Sequence, residues 1–216
     1  MTVKVKICGI ASPADYLACR DSGATWSGIV HYPGSSRHLS ADQMAAVARC
    51  AAAAGPAAPK RVLLTVDIVG DALAPLIAAA RPDMLQLHGH ERPEDVAAIK
   101  QQFNLPVIKA IAISTADDFA QCNRWDSLAD WLLFDAKVAK GDQPGGTGHR
   151  FDWSLLAHYR ARLPWMLAGG LDARSVGQAV RISGAKAIDV SSGVESQPGK
   201  KDPSMIHAFI QAAQLG

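Results

Sequence analysis

Cys8 closes a run, Val3-Lys4-Val5-Lys6-Ile7-Cys8, in which apolar and polar residues alternate, and Gly9 follows it. Alternation with β-branched Val and Ile marks a strand, so the thiol falls where strand gives way to loop. That position makes it a candidate reactive group. Asp135 follows Trp131-Leu132-Leu133-Phe134, a carboxyl at the exit of an apolar strand. Apolar surroundings disfavour an ionised carboxylate, which suits a general acid; a loop-anchoring aspartate is the plainer alternative. Arg37 lies in the polar loop Tyr32-Pro33-Gly34-Ser35-Ser36-Arg37. It could grip a carboxylate through two parallel hydrogen bonds, or be an ordinary solvated arginine.

Two further clusters point to an anion. Gly169-Gly170 allows close approach of the backbone, and Ser191-Ser192-Gly193, just after Asp189, offers small residues able to present N–H donors at a helix start. Tight turns without a ligand are the alternative. His88, Gly89, His90 and Glu91 invite a metal reading, yet one sequential cluster supplies too few ligands, and no metal is expected. Gly145-Gly146-Thr147-Gly148 lacks the Lys-Ser/Thr ending of a phosphate-binding P-loop and reads as a mobile lid.

These groups need a frame. Ser12-Pro13-Ala14-Asp15 opens a helix with a cap, a first-turn proline and an acid, and Ser40-Ala41-Asp42-Gln43 opens another with a capping box. Further strands are expected over 25–31, 61–66, 84–87, 107–111, 131–134, 165–168 and 187–190. Helices are expected between them over 72–80, 93–103, 116–127, 153–160 and 173–182, and a last one begins at Asp202-Pro203. Eight strands alternating with eight helices imply parallel pairing through right-handed crossovers. They close most naturally into a single-domain (β/α)8 barrel spanning residues 1–216, with an open doubly wound sheet as the alternative. In a barrel the candidate groups all fall at the carboxyl ends of strands, where such folds place their chemistry. Two residues along a strand span about 7 Å, so Lys6 is expected one layer beneath Cys8. There it would either lower the thiol pKa or pair with an acid such as Asp189.

Composition narrows the class. The chain has 216 residues, 49% hydrophobic and 19% charged, with a net charge of +2. Such a balance gives no reason to expect nucleic acid, and no apolar run approaches the ~18 residues of a membrane span. The four cysteines lack metal or redox spacing, and Cys19, Cys50 and Cys122 read as small hydrophobes in helical stretches. No signal-peptide core is evident near the start, so a cytoplasmic protein, monomer or homodimer, is expected.

The motifs in order resemble the phosphoribosylanthranilate isomerase family. They are Lys6-Ile7-Cys8-Gly9-Ile10, Gln86-Leu87-His88-Gly89, Asp135-Ala136 with Gly145-Gly146-Thr147-Gly148 and Phe151-Asp152-Trp153, Ala168-Gly169-Gly170-Leu171, Asp189-Val190-Ser191-Ser192-Gly193-Val194-Glu195 and Pro198-Gly199-Lys200-Lys201-Asp202. The resemblance implies a (β/α)8 barrel that performs a cofactor-free Amadori rearrangement of a small phosphosugar in tryptophan biosynthesis. It also implies Asp135 as general acid and Cys8 as general base. By the same resemblance Arg37 would hold the anthranilate carboxylate, the backbone around Gly169, Gly170, Ser191, Ser192 and Gly193 the phosphate, and Asp189 the sugar hydroxyls. Two positions depart from the family pattern. Ser36 and His38 flank Arg37 where proline and tyrosine are usual, and His90 replaces a commonly acidic residue. Other phosphosugar barrels are the nearest rivals, but metal-ligating residues on several strands and two-fold internal repetition are not evident. A catalytically silent phosphosugar-binding protein is the rival of a different class.

Overall fold

A computed structural model describes residues 2–136, 152–157, 159, 160 and 162–216. The glycine-rich stretch 145–148 lies outside the described residues. Eight parallel strands close into a barrel in sequence order: β1 (Lys4–Cys8), β2 (Trp26–His31), β3 (Lys60–Thr65), β4 (Met84–Leu87), β5 (Val107–Ile113), β6 (Trp131–Ala136), β7 (Trp165–Leu167) and β8 (Ala187–Val190). The barrel seals where β1 pairs with β8, with Lys6 opposite Asp189.

Strand alternation sorts the side chains into two layers. Val5, Ile7, Ile29, Leu63, Leu85, Phe134 and Ile188 point outward and pack, fully or almost fully buried, against the helices. The inward set forms a floor of Trp26, Val62, Met84, Ile108, Leu133, Met166, Ala168 and Ala187. Below it Lys4 lies over the rings of Trp26 and Trp131, 5.9 and 5.6 Å from their centroids, an arrangement that favours a cation. The inside of the barrel is therefore a packed plug at the amino-terminal end, and a cleft opens towards the carboxyl ends of the strands.

The helices are α1 (Pro13–Asp21), α2 (Ala41–Ala52), α3 (Leu73–Ala80), α4 (Pro93–Phe103), α5 (Ser154–Ala157), α6 (Val176–Ser183) and α7 (Pro203–Gln214), and side-chain caps start α1, α2 and α7. Ser12 accepts from the Asp15 N–H, Ser40 and Gln43 form the expected box, and Asp202 accepts from Ser204 and Met205. Two connections differ from expectation. Residues Ala116–Trp125 form a 3-10 helix rather than an α-helix. Asp118 takes the backbone N–H groups of Ser114 and Thr115, and the polar residues Asp117, Asp118 and Asn123 favour such local bonds over a regular ladder. The helix expected over 153–160 is described only as the single turn of α5.

The cysteines are all free thiols. Cys19 and Cys122 are buried, and burial pushes the Cys19 pKa up to about 12, which makes it an inert hydrophobe. Cys50 is only partly covered. Among the described residues no helix is long and apolar enough to cross a membrane.

Candidate active site

At the carboxyl end of the barrel an open cleft of about 480 Å3 is lined by Cys8, Val30, Tyr32, Ser35, Arg37, Leu64, Val66, Gln86, His88, Asp135, Asp189 and Ser191. Five of the nine residues singled out in the sequence meet there: Cys8, Arg37, Asp135, Asp189 and Ser191. Gly169, Gly170, Ser192 and Gly193 stand on the rim at the ends of β7 and β8. Among the described residues no cluster of three or more His, Cys, Asp or Glu could hold a metal. The sequential His88-Gly89-His90-Glu91 group disperses: His88 enters the cleft, the His90 side chain is fully exposed, and Glu91 is buried against Lys109.

Beneath Cys8, the fully buried Lys6 donates to Asp189 Oδ1 at 2.9 Å. Of the two partners expected for Lys6, the acid holds it, although its charge is also felt by the thiol. The room for this arrangement comes from Gly28, the neighbour of Cys8 on β2. A Cβ at Gly28 would stand 3.0 Å from Cys8 Sγ and 3.1 Å from Lys6 Nζ, tighter than ordinary packing allows.

The thiol pKa is raised, contrary to the lowering a neutral-pH base would want. Burial is the dominant cause; the Lys6 and Lys201 charges pull the other way and Asp189 adds to the rise. Lys6 itself is raised: burial pulls its pKa down, but Asp189 and Cys8 together outweigh that. No thiolate-favouring site follows from Lys6 alone, because its charge is shared with Asp189.

Arg37 is committed to a partner the sequence did not suggest. Its Nε and Nη2 donate to the two carboxylate oxygens of Glu195, at 2.7 and 2.8 Å. Lys201, buried, donates to Glu195 Oε1 at 2.6 Å and to the Ser191 carbonyl at 3.0 Å. Ser191 Oγ in turn donates to the Cys8 carbonyl at 3.1 Å. A chain of charge-assisted bonds thus ties the loops after β2 and β8 and the hairpin of β9 (Glu195–Gln197) and β10 (Lys200–Lys201) to the end of β1. Burial opposes ionisation of Glu195, but Arg37 and Lys201 overcome it and hold its carboxyl below the usual range. Lys201 is lowered, by burial first, with Glu195 opposing.

Opposite Cys8, Asp135 Oδ1 accepts the N–H of Ala136 at 2.8 Å, and Oδ2 lies 3.6 Å from His88 Nε2. Gly169, with φ of +88°, passes so close that a Cβ there would stand 2.7 Å from the Ala136 nitrogen. At Gly193 a Cβ would fall on the Leu171 carbonyl oxygen, so glycine is what lets the β8 loop seat on the β7 loop. Glycine is required at both places for contact.

A family model described as N-(5'-phosphoribosyl)anthranilate (PRA) isomerase matches residues 5–212. The chain belongs to this family. The N-(5'-phosphoribosyl)anthranilate isomerase of Parvibaculum lavamentivorans is 45% identical over 217 residues, covering 99% of each chain. Among solved structures, the phosphoribosyl anthranilate isomerase of Thermotoga maritima is similar with a TM-score of 0.86 and 33% identity over 98% of each chain. A phosphoribosyl anthranilate isomerase in complex with reduced 1-(o-carboxyphenylamino)-1-deoxyribulose 5-phosphate gives a TM-score of 0.83 and 32% identity, again over 98% of each chain. The motif-level resemblance and the whole-chain likeness lead to the same family.

What sequence reasoning missed are the partners: Glu195 and Lys201 for the loop of Arg37, His88 for Asp135, and Gln86 for His88. All four stand within the family-like motifs, and for Gln86, His88 and Glu195 placement beside a strand end is the available signal.

Proposed function

We propose that the protein isomerises N-(5-phosphoribosyl)anthranilate to 1-(2-carboxyphenylamino)-1-deoxyribulose 5-phosphate, the Amadori step of tryptophan biosynthesis, without a cofactor. Membership of the family supports the reaction. The observation that carries the roles is that Cys8 and Asp135 open onto one cleft from opposite sides of the barrel mouth.

In this reading Asp135 gives its proton to the furanose ring oxygen. The C1′–O4′ bond breaks, and the amine lone pair forms the Schiff base. Cys8, as thiolate, then takes the proton from C2′, and the released pair makes the C1′=C2′ bond of an enolamine. Loss of the O2′ proton and gain of one at C1′ give the ketose. The enzyme ends with Cys8 protonated and Asp135 ionised, and proton exchange with solvent restores it. A thiolate that burial makes scarce is correspondingly basic, which suits abstraction from carbon. Lys6 and Lys201 keep that thiolate within reach.

The rim glycines and Ser191, Ser192 and Gly193 would present backbone N–H groups to the phosphate, as strand-seven and strand-eight loops commonly do. Arg37, already braced by Glu195, would receive the anthranilate carboxylate, and Asp189 would face the sugar hydroxyls. Following the loss of substrate fluorescence with wild type, Cys8→Ser and Asp135→Asn tests the assignment. Active wild type with both variants strongly impaired is expected; an inert wild type, or near-full activity in both variants, overturns it.

A further inference from the structure

His88 is a cleft residue that the two-group mechanism leaves without a task. Its backbone is held with unusual care. Lys109, buried between sheet and helices, donates to the Leu87 carbonyl at 3.2 Å and the Gly89 carbonyl at 2.8 Å, the residues on either side of His88. The same ammonium pairs with Glu91 at 2.9 Å, and Glu91 accepts the Gly89 N–H. The turn that carries the imidazole is thus clamped from below by a buried ion pair.

The ring is fixed as well. Gln86, fully buried two residues earlier on the same face, donates from Nε2 to His88 Nδ1 at 2.9 Å. With Nδ1 accepting, a neutral imidazole carries its proton on Nε2. That nitrogen lies 3.6 Å from Asp135 Oδ2. The other oxygen, Oδ1, is already engaged by the Ala136 N–H, so the transferable proton belongs on Oδ2.

We propose that Gln86 and His88 are positioning residues for Asp135, with the Nε2–H of His88 closing onto Oδ2 as that oxygen loses its proton. At 3.6 Å the contact is longer than a hydrogen bond, so it adds little to the resting carboxyl. Once negative charge develops on Oδ2, a short approach turns it into a charge-assisted bond. An interaction that strengthens only as the proton leaves lowers the barrier without tightening substrate binding. The expected signature is a loss in kcat with KM retained.

The inference rests on Asp135 being the acid, and the experiment separates the two. His88→Asn keeps an amide near the Gln86 side of the ring but places no donor at Oδ2, whereas the longer His88→Gln restores one at the Nε2 position. His88→Asn is expected to lower kcat by about 10- to 100-fold, the range for losing one charge-assisted hydrogen bond, with KM unchanged. His88→Gln is expected to recover most of that loss. Gln86→Met, which frees the tautomer, is expected to lower kcat less than His88→Asn. Unchanged binding of the reduced product analogue certifies that each variant is folded; for a variant that does not bind it, Gln86→Met alone decides by its kcat. Equal losses in His88→Asn and His88→Gln, an effect confined to KM, or wild-type kcat in His88→Asn or Gln86→Met overturns the positioning role. Near-full activity in Asp135→Asn would instead overturn the assignment of the acid itself.

Discussion

Lys6 and Asp189, 183 residues apart in sequence, meet at 2.9 Å inside the barrel directly beneath Cys8. The pair places both a cation and an anion under the thiol, so the thiol pKa reflects a balance that either substitution should tip.

Removing the cation leaves Asp189 buried without its partner. Lys6→Met is expected to destabilise the fold by about 3–5 kcal/mol, the usual cost of breaking a buried pair from one side. It also removes a charge that draws the Cys8 pKa down, so the thiol should titrate higher. Asp189→Asn acts in the opposite sense on the thiol, because the Asp189 charge raises it. Alkylation rate against pH measures both: the midpoint moves up in Lys6→Met and down in Asp189→Asn. A midpoint unmoved in both variants would show that the pair has no hold on the thiol.

Glu195 should make the loop network acid-sensitive. Its pKa is held below the ordinary glutamate value of ~4.3, so its contribution to stability is complete above that value and is lost as pH falls through the lower, folded pKa. Glu195→Gln is therefore expected to be less stable than wild type at neutral pH, with the gap closing in acid. Chemical denaturation at a series of pH values between 7 and about 3 tests this. A gap that stays constant across the series contradicts it.

The buried pair Lys109–Glu91 offers a comparison of a broken with a deleted interaction. Lys109→Met strands the Glu91 carboxylate and is expected to cost about 3–5 kcal/mol. The double variant Lys109→Met/Glu91→Leu should be more stable than that single one, since no unpaired charge remains. Denaturant midpoints of the two variants settle the order.

Gly193→Ala tests the seating of the β8 loop on the β7 loop. The added methyl meets the Leu171 carbonyl oxygen, which belongs to the backbone and cannot swing aside. The loops are then forced apart at the proposed phosphate site. A rise in KM of about tenfold is expected, about 1.4 kcal/mol of lost binding, with inorganic phosphate becoming a correspondingly weaker competitor. Unchanged inhibition by phosphate would place the anion elsewhere.

The strands were legible because each carries a local signal, alternation or a short apolar run between turn residues. Both side-chain caps at Ser12 and Ser40 were readable for the same reason. The stretch at Ala116–Trp125 misled because its apolar spacing suits an α-helix while Asp118 draws the first turn into local bonds. In the site, Cys8, Asp135 and Asp189 could be placed by strand position alone. Their partners could not. Arg37 reaches Glu195 across 158 residues, and His88 at the end of β4 meets Asp135 of β6 over the intervening β5, contacts that exist only once the strands have a common axis. The sequence leaves open whether Lys6 lowers the Cys8 pKa or pairs with Asp189, because burial of the thiol, which decides the direction, depends on the surrounding layer and no local pattern records it.

The closing seam between β1 and β8 gives the chain an order of assembly. Cys8 leaves the ribosome 183 residues ahead of Ser191 behind it, the same separation that parts Lys6 from Asp189 beneath the thiol, and Lys201 follows later still. A nascent chain can therefore form most of its strands and still lack the surroundings of its thiol. Thiol reactivity during synthesis or refolding becomes a clock for the final closure, and a chain cut before β8 should show a Cys8 that alkylates at a rate different from that of the finished barrel.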